Sequence, residues 1–387
     1  MTTEPRGVLL LNSDKPEVLR VLRRRPDVRV RVLARDRYAD FHSGWETVPL
    51  PGFEDLTAVG EAARRVAESG PVDAVIAATE KGIVAAALVR ALLGVPGTSL
   101  DQAVWTSHKR AMKERLRAAG IPVADFVQVP NLAGVPDAVA CLGGPAVVKP
   151  VFGSGSRATH RLASPRDAAE RAAAGELDDL AARGVPILVE RRLTVLDEYH
   201  CDGLLHAGEI HAAAASCYFA PPLDAPGGLQ GSRLLDPADP HAHAVRDLHE
   251  RVVRALGLRD GVTHLEVFAT PDGHVVGEVT TRPAGLGVPR MWAHAFGLDL
   301  WEGFVAASLG ERPPVPGPHP GRVFCWTHLP GDARTADAAR TVPGVIEVRT
   351  PGENGSPNTE VHFTAPDPQA AVAANTALRA LCPPADA

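Results

Sequence analysis

The sequence predicts a multidomain protein of the α/β and α+β classes, opening with a parallel-sheet α/β domain. Three observations predict it. The chain has 387 residues, more than one ordinary domain holds. Strand-like and helix-like patterns alternate over the first hundred residues, as in a parallel sheet covered by helices. From Glu198 onward the pattern changes to long antiparallel strands.

The apolar run Val8–Leu11 suits a buried parallel strand and leads into a helix over Pro16–Arg25. Val28–Leu33 predicts a second strand, Leu56–Glu68 a helix, Ala74–Ala78 another buried strand, and Gly82–Leu93 a nearly all-apolar helix. Ser107–Ala119 reads as a helix stopped by Gly120 and Pro122. A second unit begins with a strand at Asp125–Val129, a helix around Asp137–Cys141 and a strand at Ala146–Lys149. One long alanine-rich helix is predicted over Pro165–Arg183, then a strand over Pro186–Glu190. Glu198–Phe219 folds back on itself near Ala207–Gly208, His241–Leu256 is helical, and two more strands flank Pro271-Asp272-Gly273. Prolines 313, 314, 316, 318 and 320 mark a linker before a small α+β tail. These transitions divide the chain at 1–105, 106–193, 194–311 and 312–387.

With 45% apolar and 22% charged residues the composition is globular, and a net charge of −6 argues against a dedicated nucleic-acid binder. Five cysteines without a CxxC pair form neither a disulfide framework nor a zinc knuckle, which points to a reducing, cytoplasmic setting. No apolar run is long enough to span a membrane. Only five of the 40 basic side chains are lysine (Lys15, Lys81, Lys109, Lys113 and Lys149), and none follows Lys149. In a chain that otherwise uses arginine, a retained lysine marks a place where a compact point charge is needed. Lys109 and Lys149 acquire roles below, Lys81 lies in a loop near the same region, and Lys15 and Lys113 acquire none.

Three constellations carry chemistry. In the hairpin from Thr263 to Arg282, a three-residue loop (Pro271–Gly273) pairs 268 with 276 and sets Glu266 opposite Glu278 on one face, together with His264, Thr280 and Arg282. Opposed like charges are destabilising, and a divalent cation with oxygen ligands compensates them. A two-residue turn would shift the register and separate the glutamates, and a hairpin with a polar, solvent-facing side fits these residues equally well. Lys149 ends a buried strand before the small-residue loop Gly153-Ser154-Gly155-Ser156, where backbone N–H groups could approach phosphate oxygens; a surface turn is the competing reading. Finally, Glu190 ends a strand at a domain crossover, with Glu198 eight residues beyond.

In their order along the chain (Lys109, Lys149 and its glycine loop, Glu190, Glu198, Glu266, Glu278, then Arg282-Pro283-Ala284-Gly285) these elements resemble the ATP-grasp superfamily of carboxylate–amine ligases over about residues 7–310. The resemblance implies an ATP-grasp fold, two α+β subdomains with ATP between them, behind the N-terminal domain and ahead of the C-terminal α+β segment. It implies ATP phosphates on Lys109 and Lys149 under a lid formed by Gly153, Ser154, Gly155 and Ser156. Glu190, Arg191, Arg192 and Leu193 would form the hinge against adenine, and Glu198 would hold the ribose. Glu266 and Glu278 would bind Mg²⁺, with Thr280 at a position where the family usually has Asn. Arg282 would bind the carboxylate substrate or its acyl phosphate. His108 stands where Asp often precedes the first lysine. The implied reaction is ADP-forming: a small-molecule carboxylate becomes an acyl phosphate, and an amine displaces phosphate to form an amide. Thr263-His264-Leu265-Glu266, Arg282-Pro283-Ala284-Gly285, Leu329-Pro330-Gly331 and Val342-Pro343-Gly344-Val345 are most similar to amino-acid ligases of the dipeptide-synthase kind. A carboxylase activating bicarbonate and a non-catalytic ATP-binding regulator are the alternatives, and homodimers are common among proteins of this kind. Arg290, Trp292, His294 and Trp326 are pocket candidates by position alone, with ordinary packing as the competing reading.

Overall fold

A computed structural model describes residues 4–382 apart from 13, 226–227 and 354–355, and its strands form three sheets. β1 (Arg6–Leu11), β2 (Val28–Ala34), β3 (Glu46–Pro49) and β4 (Ala74–Ala77) make a parallel sheet in the order β3-β2-β1-β4. Val8–Leu11 are fully buried because helices cover both faces of this sheet. Leu9 and Leu11 pack towards the helices Leu56–Glu68 and Ile83–Leu93. Val8 and Leu10 instead share a core with Val288, Met291, Trp292 and Leu300, from the helices Val288–Phe296 and Leu300–Ser308. The N-terminal sheet is thereby fixed against the later part of the chain, each buried aliphatic side chain contributing about 1.5–3 kcal/mol.

β5 (Phe126–Val129), β6 (Ala146–Pro150), β7 (His160–Leu162) and β8 (Ile187–Arg191) form an antiparallel sheet in the order β5-β8-β6-β7. The single helix predicted over Pro165–Arg183 is two, Pro165–Ala173 and Asp178–Ala181. Gly175 ends the first by turning left-handed at φ +75°. A short helix at Leu100–Trp105, opened by a Ser99–Gln102 capping box, and strand β3 carry too little periodicity to be predicted. The helix Lys109–Ala118 starts on His108, whose Nδ1 accepts the Ala111 N–H at 3.3 Å. Burial lowers the His108 pKa and so keeps that nitrogen an acceptor; the imidazole does the capping work of the usual Asp.

The third sheet has eight strands: β9 (Asp197–His206), β10 (Glu209–Tyr218), β11 (Gly231–Leu234), β12 (Gly261–Thr270), β13 (Gly273–Thr280), β14 (Val323–Leu329), β15 (Val345–Arg349) and β16 (Thr359–Ala365). Their order is β13-β12-β9-β10-β11-β14-β16-β15. The proline-rich stretch carries no regular structure over 311–320, as its composition implies. The tail beyond it continues the same sheet, because β14 pairs antiparallel with β11.

The β12–β13 hairpin departs from the predicted loop. Thr270 pairs with Gly273, so the turn holds two residues, Pro271 and Asp272, and Phe268 pairs with Val275. That turn alone would put the two glutamates on opposite faces. A β-bulge restores them: the register shifts between Glu266 and Val267, Gly277 becomes the extra residue, and Glu266 lies opposite Glu278 after all. A Cβ at Gly277 would stand 2.9 Å from the Phe268 ring. Gly277→Ala should therefore destabilise the fold by about 1–3 kcal/mol, seen as a lower urea midpoint at unchanged slope. Adding Phe268→Leu should recover part of the loss, and an unaltered midpoint in the single variant contradicts a bulge that needs glycine.

Candidate active site

Residues of the second and third sheets, with the loops that follow the strands of the first, line one cleft of about 1100 Å³, larger than a single small-ligand pocket and roomy enough for a nucleotide with a second substrate. Every residue to which the family resemblance gives a role reaches it: Lys109, Lys149, Gly153–Ser156, Glu190–Leu193, Glu198, Glu266, Glu278, Thr280 and Arg282. Cross-strand pairing puts Glu278, Glu266, Thr280 and His264 on the face towards the cleft. The Thr280 hydroxyl is buried without a hydrogen-bond partner. Two opposed carboxylates and an unpartnered hydroxyl form the oxygen-rich donor set that Mg²⁺ takes, so these residues fit a divalent cation.

Cations meet the carboxylates from the protein side. Lys109 Nζ donates to Glu278 Oε1 at 2.8 Å and also to the carbonyl of Gly153. Burial pulls the Lys109 pKa down, but Glu278 and Glu80 more than offset it and keep the ammonium charged. His264 Nε2 stands 3.6 Å from Glu266 Oε1, and its Nδ1 donates to Asp202 at 2.9 Å. Although burial disfavours the imidazolium, Asp202 and Glu266 raise its pKa to about 10.

Asp202, wholly buried, also accepts from His200 Nδ1 at 2.6 Å. His200 Nε2 lies 2.9 Å from Ser232 Oγ, which takes the Trp326 Nε1–H at 2.8 Å. His200, Asp202 and His264 are the tightest grouping of possible metal ligands among the described residues, within 4.8 Å of one another. Asp202, wholly buried, already joins both imidazoles, so the trio reads as a charge network. The sequence signal for it is an aspartate in the middle of a long strand.

Lys149 Nζ is 3.2 Å from Glu190 Oε1, and Lys113 Nζ is 3.3 Å from the same oxygen. Burial drives the Glu190 pKa up, yet the two ammonium groups outweigh it and hold the carboxyl below its usual range. Lys113, read from the sequence as without a role, is thus joined to the site through Glu190, and Lys15 and Lys81 line the cleft. Glu198 is raised well above its usual pKa by burial and by the Glu266 charge.

Arg282 Nη2 pairs with Glu80 Oε2 at 2.9 Å, and its Nη1 donates to the Pro283 carbonyl. Glu80 follows β4 in the N-terminal domain and is largely buried; burial and Glu278 raise its pKa against the pull of Arg282. Of the four positional guesses, Trp326 alone lines the cleft. Trp292 is sealed in the core, and Arg290 and His294 both bind Glu347, tying the helix Val288–Phe296 to β15. Among the described residues no helix is long and apolar enough to cross a membrane.

No family model matches the chain. It is 32% identical over 316 residues to an L-arginine-specific L-amino acid ligase of Bacillus subtilis, spanning 79% of this chain and 76% of that one. It is also 32% identical over 234 residues to a D-alanine–D-alanine ligase of a Mycobacterium species, spanning 54% of this chain and 60% of the relative. The fold superposes on the L-amino acid ligase of Bacillus licheniformis with a TM-score of 0.74 at 19% identity, covering 97% and 98% of the two chains. A carboxyaminoimidazole ribonucleotide synthase from Aspergillus clavatus, solved with ATP, gives 0.73 at 19% identity and covers 97% and 98%; at such identities the likeness is one of fold alone. The Bacillus subtilis relative carries the assignment further: the chain belongs to the amino-acid ligases of the ATP-grasp superfamily, ATP-dependent enzymes that form C–N bonds.

Proposed function

We propose that the enzyme recognises its substrate as a zwitterionic amino acid at Arg282 and Glu80, activates the carboxylate there, and couples it to the amine of a second amino acid. The observation that carries this reading is the Arg282–Glu80 pair, 2.9 Å apart and beside the Glu266–Glu278 carboxylates. A guanidinium matches a carboxylate or acyl phosphate, and a carboxylate matches an ammonium group.

Lys109 and Lys149 hold the ATP phosphates, the Gly153–Ser156 loop covers them, Glu190–Leu193 receives adenine along the backbone, and Glu198 takes the ribose hydroxyls. Glu266, Glu278 and the free hydroxyl of Thr280 would hold Mg²⁺, which when bound would supply the positive charge that offsets carboxylates and phosphates. Arg282 orients a carboxylate oxygen towards the γ-phosphorus. The P–O bond to the β-phosphate breaks as the new P–O bond forms, releasing ADP. The amine nitrogen then attacks the acyl carbon, the C–O bond to phosphate breaks, and the nitrogen loses a proton. Positioning and charge neutralisation do most of the work, and the loop must exclude water because the acyl phosphate hydrolyses.

The Bacillus subtilis relative's name specifies arginine. Here Lys15, Arg35, Arg37 and Lys81 line the cleft along with the carboxylates, so side chains of both signs face a substrate. A phosphate-release screen over pairs of L-amino acids, arginine included, with products weighed by mass spectrometry, identifies both substrates. ADP and a dipeptide are the expected products, and AMP would reject the mechanism. Arg282→Ala should leave ATP binding intact and abolish product formation; loss of nucleotide binding would make Arg282 a phosphate ligand instead. Glu80→Gln should raise the KM of one amino acid about tenfold or more while the KM of ATP stays put, since it removes a charge-assisted contact. Glu278→Gln should end Mg²⁺-dependent turnover, and full activity in that variant would remove the metal role.

A further inference from the structure

Three of the five lysines converge on the inferred phosphate end, and one of them does not face the cleft. Lys113 lies one helical turn after Lys109 and is fully buried. Its Nζ stands 3.3 Å from Glu190 Oε1 and 3.3 Å from the carbonyl oxygen of Gly277, the bulge residue. Lys149 Nζ, on the cleft side, stands 3.2 Å from the same Glu190 oxygen. One carboxylate oxygen is therefore shared by two ammonium groups, one sealed in the interior and one presented to the cleft.

The sharing has a consequence for Lys149. Two cations and one anion leave a net positive charge, and its exposed part is Lys149. Without Lys113, Glu190 would neutralise Lys149 alone, and an incoming phosphate would have to pull Lys149 away from a buried carboxylate left unpaired. Leaving a buried charge without its partner is strongly unfavourable. With Lys113 in place, Glu190 keeps a counter-ion whichever way Lys149 turns.

We propose that Lys113 is a positioning residue for the nucleotide: it holds Glu190 so that Lys149 can exchange its ion pair for the ATP phosphates. The same ammonium joins β8 to the bulge that sets Glu278 opposite Glu266, so it links the hinge strand to the carboxylate pair. This rests on the reading of Lys149 as a phosphate ligand, and the test separates the two.

Steady-state kinetics of the whole protein are measured for Lys113→Met in the native background and on top of Glu190→Gln, with Lys149→Met alongside and thermal midpoints for all. Lys113→Met should raise the KM of ATP about tenfold, the size of coupling found between residues in one ion-pair network, with kcat at saturating ATP falling less than about threefold. On top of Glu190→Gln the same substitution should change that KM less than about twofold, because the charge that Lys113 restrains is gone. A purely structural ion pair would lower the midpoint without moving the KM of ATP, and that result overturns the proposal, as does an equal effect in both backgrounds. If Lys113→Met fails to fold, Lys113→Gln, which keeps a donor for the Gly277 carbonyl, takes its place in the cycle. A normal KM in Lys149→Met rejects the phosphate reading itself; a raised KM there with a normal one in Lys113→Met rejects only the role of Lys113.

Discussion

Two carboxylates facing each other across a hairpin repel, and the surroundings of Glu266 and Glu278 answer that repulsion. The bulge at Gly277 brings them together, so their proximity is built at the cost of an irregular strand. Lys109 takes one carboxylate and His264 takes the other. A polyphosphate in the cleft, as proposed, would add negative charge to a place already rich in it, and the neighbouring cations come from every wall: Lys149 from β6, Arg282 from just beyond β13, Lys109 from the helix Lys109–Ala118. The like-charge pair is stable only inside this ring, and the ring in turn fits a ligand that carries both a divalent cation and phosphates.

The ring extends below the cleft floor. From Glu266 the contacts run through His264, Asp202, His200 and Ser232 to Trp326, crossing the strands β12, β9, β10, β11 and β14. Ser232, His200 and Asp202 stand in the order of a hydrolytic triad. All three are completely buried, and the serine oxygen takes a hydrogen bond from Trp326, so no substrate atom can reach it. Each link has a donor and an acceptor, and a satisfied buried network of this kind stiffens what it joins. It joins the inferred metal carboxylates to a tryptophan on the strand contributed by the C-terminal tail.

Much of this was legible in the sequence, and the rest was hidden for identifiable reasons. Long periodic elements were read close to their observed bounds, while β3, β11 and the Leu100–Trp105 helix are too short for a period to show. The glutamate pairing was right although the turn was not: an extra residue in β13 cancelled the error in loop length, and Gly277, directly after the Val275–Val276 pair, was the one visible hint of a bulge. The cleft residues were recognisable by their order along the chain. Glu80 was not, because its meeting with Arg282, 202 residues away, depends on how the N-terminal sheet docks. Lys113 could have been found: two scarce lysines at i and i+4 share a helix face, and Lys109 already pointed to the site.

Docking also divides the labour between the walls. Val8 and Leu10 of β1 pack the N-terminal sheet against the helices that follow Arg282, so the elements that carry Glu80 and Arg282 share one core with the eight-stranded floor. The opposite wall is softer. The loop after β6 is exposed and holds Ser156 and Ala158 at φ 54° and 55°, left-handed conformations that cost roughly 1–2 kcal/mol each for residues with a Cβ. Such a loop loses little on rearranging, and Lys109 already touches its first glycine. In the proposed reaction, precise positioning would fall to the well-packed wall, and shutting out water after substrates enter would fall to the exposed loop. An acyl phosphate is short-lived in water, so a ligase that forms one gains from placing these two properties on opposite sides of the cleft.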